Sequence, residues 1–159
     1  MSSKWYWDDL AEGEKLQCRP FALVLEEIVE FAQKYDPQLF HVDHTAAEAS
    51  QFGGIIASSL HTLSACTRVI VDALDGVEII IGLGILPVAL PNAVRSDDIL
   101  VVEAYWSDLR RSTSKPHQGL ATVRFTARNQ QGKTVLESGF TYMIACRMDK
   151  HPIGVTPAD

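Results

Sequence analysis

The segment from Ser58 to Leu74 limits most sharply what this chain can fold into. Leu60, Leu63, Thr67, Ile70, Val71 and Leu74 recur at helical spacing and make one stripe, while Ala65, Cys66, Val69 and Ala73 fall elsewhere on the circumference. Ser58 suits the N-cap, and Asp75-Gly76 ends the run. A helix apolar on most of its faces is expected to be buried, so the rest of the chain has to cover it.

The chain beyond Gly76 reads as that cover. Val77 to Ile85, rich in isoleucine and glycine, is expected to become extended at its end. Pro87, Pro91 and Ser96-Asp97-Asp98 are turns, and Ile99 to Leu109 is rich in strand-forming Val, Tyr and Trp. Leu120 to Ala127 alternates Ala121, Val123 and Phe125 against Thr122, Arg124 and Thr126, as a strand with one buried face does. Gln130-Gln131-Gly132-Lys133 is a hairpin turn, with Thr134 to Met148 the return strand and a loose tail from Asp149. A chain of 159 residues suits one domain spanning 1–159. Its class is α+β, with a curved antiparallel sheet wrapped around the long helix.

Ahead of the long helix, Trp5-Tyr6-Trp7 reads as the start of a short strand and Lys15 to Arg19 as extended. Leu25, Ile28, Phe31, Ala32 and Tyr35 predict a helix over 25–35, with no polar cap before it. Thr45 and Glu48 have the spacing of a capping box for a short helix through Ser50, and Phe52-Gly53-Gly54 is a loop. Between these helices lies Asp36-Pro37-Gln38-Leu39-Phe40-His41. Proline disfavours helical geometry in the residue before it, so Asp36 falls at the helix end. A tight polar loop then folds Asp36 and His41 toward one point. A carboxylate and an imidazole that share a point are the parts needed to hold and activate a water.

Charge and cysteines narrow the setting. A net charge of −6 argues against nucleic acid as the main partner. Cys18, Cys66 and Cys146 are odd in number and far apart, with no Cys-x-x-Cys, so neither a disulfide framework nor a zinc knuckle is indicated; a reducing cytoplasm is the simplest setting. Neither a secretory leader nor a membrane span is expected. His41, Asp43 and His44 are ligand types, but neighbours in a short loop seldom converge on one ion, and no metal is expected. Ser59, His61 and Asp36 lack the strand-turn-helix setting of a nucleophile elbow. Gly82-x-Gly84 lacks the third glycine of a dinucleotide fingerprint.

Asp36-Pro37-Gln38-x-Phe40-His41-x-Asp43, with Phe52-Gly53-Gly54-Ile-Ile-Ala-Ser58 after it, resembles the MaoC-like dehydratases, hot-dog-fold proteins that include the (R)-specific enoyl-CoA hydratases. Trp5-Tyr6-Trp7-x-Asp9-Leu10, Arg111-Ser-x-Ser-Lys115-Pro116 and Asn129-Gln-x-Gly132 extend the likeness over nearly the whole chain. The chain is similar to the branch with an Asp-Pro-x-x-x-His loop and a serine at the start of the central helix. Ser58-Ser59 stands where many hydratases have His-Gly, and their loop Asn is absent.

The resemblance implies a hot-dog fold and a dimer, or a larger assembly of dimers, binding an acyl-CoA thioester at the subunit interface. No cofactor is implied beyond coenzyme A as part of the substrate. Asp36 and His41 would orient the catalytic water, and the Ser59 N–H would receive the thioester oxygen. Phe40, Phe52, Gly53, Gly54 and Ser58 are the expected substrate-side residues, with Phe40 and Phe52 either packing to fix the loop or lining an acyl tunnel. Arg111 and Lys115, with Arg110, either meet the phosphates of coenzyme A or form a solvated strand end. The expected activity is hydration of a 2-enoyl-CoA or the reverse dehydration. The alternatives are a thioesterase on the same fold, or a non-catalytic acyl-CoA-binding subunit.

Overall fold

A computed structural model describes residues 4–147. The tail from Asp149 and the final residue of the expected return strand, Met148, lie outside the described residues. The strands are β1 (Lys15–Leu16), β2 (Ile79–Ile85), β3 (Val101–Arg111), β4 (Gln118–Arg128) and β5 (Thr134–Ala145). They make one antiparallel sheet in the order β1-β3-β4-β5-β2. The helices are α1 (Leu25–Tyr35), α2 (Leu39–Val42), α3 (His44–Ala49) and α4 (Ser59–Ala73). All four precede the four longer strands, as the α+β reading requires. The β4–β5 turn falls where Gly132 permits it. That residue has φ 75°, and Asn129 N–H donates to Lys133 O at 3.0 Å.

Pairing register places the core. Trp106, Val123 and Phe140 stand side by side across β3, β4 and β5, with Ala104, Phe125 and Ser138 in a neighbouring row. The Phe125 and Phe140 rings stack at 5.3 Å. Against this face α4 lays Cys66, Val69 and Ile70, followed by its C-cap residue Leu74. Register shifts within β2–β5 and β3–β4 bend the strands, which lets the sheet curl about the helix. Burial pushes the Cys66 thiol up to about 12, so it packs as a small apolar group. Among the described residues no helix is long and apolar enough to cross a membrane.

Three local expectations are corrected. The central helix is not buried all round: within its stripe Ile70 and Leu74 are buried, but Leu60 and Val71 are each 52% exposed, and the other buried positions are Thr62, Cys66 and Val69. The sheet covers one side of α4 and leaves the side with Leu60 and Val71 facing outward. Trp5-Tyr6-Trp7 starts no strand. Trp5 makes an isolated bridge to Val77, and Trp7–Asp9 is a 3-10 turn. The Trp7 indole instead lies against Gly119, where a side chain would collide with it, and its Nε1–H donates to Leu120 O at 2.9 Å. Finally, Thr45 is not the cap of α3. That helix starts at His44, so Asp43 takes the role and its Oδ1 accepts the Ala46 N–H at 2.8 Å.

Candidate active site at the N-terminus of the central helix

Asp36 is the C-cap of α1, its N–H bonded to Ala32 O at 2.8 Å. Pro37 then turns the chain. The polar loop expected after it is in fact a helical turn: Gln38 stands at the N-cap position of α2, and His41 lies inside that helix. A helical turn aims the imidazole inward, and His41 is only 4% exposed. Its Nδ1 lies 2.7 Å from Ile56 O. A carbonyl only accepts, so Nδ1 carries the proton and Nε2 is the nitrogen presented to the acid. Asp36 Oδ2 lies 3.4 Å from that Nε2.

The start of α4 completes the arrangement. Ser58 is fully buried, and its hydroxyl donates to Asp36 Oδ2 at 2.7 Å. The Ser58 oxygen also accepts the Leu60 N–H at 3.2 Å, which caps the helix. Gln38 reaches back so that its Nε2 donates to Asp36 Oδ1 at 2.9 Å. The Ser58 hydroxyl first, then the Gln38 amide, hold the Asp36 carboxyl below its usual pKa; partial burial works against them and His41 adds to them. Ser59 follows Ser58 in the first turn, where backbone N–H groups have no intrahelical acceptor and the helix dipole is positive.

Asp36, His41 and Ser59 line one cavity of about 270 Å³, with Phe40, Phe52, Ile56, Val94 and Val135 as apolar wall. Phe40 sits 4.5 Å from the His41 ring and 5.2 Å from Phe52 by ring centroids. Gly53 and Gly54 are not in that lining. They form the turn behind Phe52, with φ 62° and 153°, while Arg95 bonds Phe52 O. Ser58 is also outside the lining and is joined to it by its hydrogen bond to Asp36. Arg111 is drawn away, paired with Asp8 and over the Trp7 ring at 5.2 Å. Lys115 lies in the exposed β3–β4 turn. Sequence reading missed Gln38, Thr62 and the 90–94 segment as cavity wall, since nothing local marks residues that meet only through the fold.

Residues 10–129 match the family described as the MaoC like domain. The MaoC-like dehydratase from Rhodospirillum rubrum is 31% identical with a TM-score of 0.80, over 91% of this chain and 99% of that one. The Bacillus subtilis uncharacterized protein YdeM is 29% identical over 86% of this chain and 96% of its own length. The (R)-hydratase from A. caviae involved in PHA biosynthesis shares the fold, with a TM-score of 0.68 at 21% identity over 87% of this chain and 98% of that one. One long helix held by a curled antiparallel sheet is the hot-dog arrangement. By its matched sequence and its architecture, the chain belongs to the MaoC-like dehydratase family.

Proposed function

We propose that the protein adds water to a 2-enoyl-CoA, or removes it from a 3-hydroxyacyl-CoA. The observation that carries this reading is the convergence of Asp36, His41 and the N-terminal turn of α4 on one cavity. In the forward direction a water held by the two side chains attacks C3 of the enoyl group. Asp36 takes its proton, while His41 holds and polarises it. The electron pair moves to the thioester oxygen as an enolate, which the Ser59 N–H and the helix dipole stabilise. The proton then returns to Cα from the dyad, giving the 3-hydroxyacyl thioester. As written, the step uses no metal and no redox cofactor. Coenzyme A or an acyl carrier protein presents the acyl group, and Phe40 and Phe52 pack along it.

The assembly we propose is a homodimer, or dimers of it, formed through β2. That strand is a sheet edge, and it exposes Ile80, Ile81, Leu83 and Ile85, which an isolated chain would leave open to water.

Incubation with a panel of 2-enoyl-CoA esters tests the activity. Loss of the conjugated enoyl absorbance with formation of a 3-hydroxyacyl-CoA supports hydration. Release of free thiol with no 3-hydroxyacyl product would instead indicate a thioesterase.

A further inference from the structure

We propose that Gln38 is a positioning residue that holds Asp36 through Oδ1 and so fixes where the attacking water can bind. Gln38 is the N-cap residue of α2, yet its side chain caps nothing. Glutamine is not a favoured capping residue. Its amide turns back instead to Asp36 Oδ1 at 2.9 Å and forms part of the cavity wall.

The carboxylate has about four lone-pair positions on its two oxygens. Oδ2 is occupied by the Ser58 hydroxyl and faces His41 Nε2. Oδ1 receives Gln38. His41 Nε2, 3.4 Å from Oδ2, leaves no room for a water between the two atoms, so the free lone pair of Oδ1 is the open place on Asp36 for a water. The atom that takes the proton is thus the one Gln38 grips. A carboxylate only accepts, so the amide presents Nε2 while Asp36 is ionised. Once Oδ1 is protonated, the amide can turn over and accept the new O–H through Oε1. Gln38 thereby aims the base and favours its charged form, and the His41 ring faces the same carboxylate across Oδ2.

The kinetic arm of the test rests on the hydratase reading, and the spectroscopic arm does not. The ¹³C carboxyl resonance of Asp36, identified by its loss in Asp36→Asn, is titrated in the wild type and in Gln38→Leu, Gln38→Asn and Gln38→Glu. Gln38 is exposed, so these variants are expected to fold. The Asp36 midpoint should rise in Gln38→Leu, rise further in Gln38→Glu, and return part of the way in Gln38→Asn. On the best enoyl-CoA, Gln38→Leu should lower kcat about tenfold, as loss of one charge-assisted hydrogen bond does. KM should change little, and the acid limb of the kcat profile should move up. An unmoved Asp36 midpoint in Gln38→Leu overturns the proposal, as does an unchanged kcat and acid limb in an active enzyme. A raised midpoint in a protein that hydrates no ester of the panel sustains the hold on Asp36 and overturns the hydratase reading instead.

Discussion

The Ser58 hydroxyl donates to Asp36 Oδ2 at 2.7 Å while its oxygen accepts the Leu60 N–H at 3.2 Å. One buried side chain therefore fixes both the start of the central helix and the direction of the acid, which comes from a different helix. The Ser59 N–H and the dyad cannot drift apart without breaking that link.

Ser58→Ala removes both bonds. The lost cap should cost about 1 kcal/mol of stability, read as a lower urea midpoint at unchanged slope. Asp36 loses its aim as well, so the hydration rate should fall by about tenfold or more even where the variant is fully folded. A rate loss no larger than the unfolded fraction accounts for would confine Ser58 to a structural role.

His61 sets a pH dependence apart from the site. Its ring stacks on Phe31 at 4.6 Å, and among the described residues its Nδ1 has no partner. Burial lowers its pKa from 6.5, with Glu27 opposing. The unfolded chain thus binds more protons, and stability should fall as pH drops below 6.5 toward the folded pKa. The carboxylates Asp9, Asp36, Asp72 and Asp108, whose pKa values are lowered from 3.8, act in a separate window. Their stabilisation is complete above 3.8 and is lost as pH falls through the folded values. His61→Phe should flatten the thermal-stability profile just below neutrality and leave the acid region unchanged.

The basic cluster divides into two roles. Arg111→Ala should cost about 1 kcal/mol of stability, the combined worth of an exposed ion pair and a cation–π contact. If Lys115 meets the phosphates of coenzyme A, Lys115→Ala raises KM for an acyl-CoA and leaves KM for the matching acyl-pantetheine unchanged. Equal effects on the two thioesters would place those phosphates elsewhere.

Gly119 faces the Trp7 indole so closely that a Cβ collides with the ring. Gly119→Ala should displace the N-terminal turn and destabilise the protein by about 1–3 kcal/mol, the usual cost of overpacking. Trp7→Ala in the same background should relieve part of the clash, which a double-mutant cycle would measure as coupling.

Much of this architecture is legible in the residues. α1 and the β4–β5 turn are placed by periodicity and by Gly132, and Ser58 by its fitness to cap. The buried face of α4 is not legible, because Leu60 and Val71 are as apolar as Ile70 and only the position of the sheet separates them. The Asp36–His41 pair is foreshadowed by Asp36-Pro37 and the five-residue spacing. The helical turn that carries His41 is not, since Leu39–Val42 is too short to show a period. Gln38 and the 90–94 wall belong to the site through tertiary contacts that no local pattern records.

The central claim is that Asp36 and His41 together activate the attacking water. It is tested most directly by the rate of enoyl-CoA hydration, monitored by enoyl-thioester absorbance, in wild type, Asp36→Asn and His41→Asn of confirmed fold. Each variant should lose about 10²–10⁴ in kcat, with the double variant little worse than either single one, as for groups that act as a unit. Wild-type rates in both single variants would contradict the account.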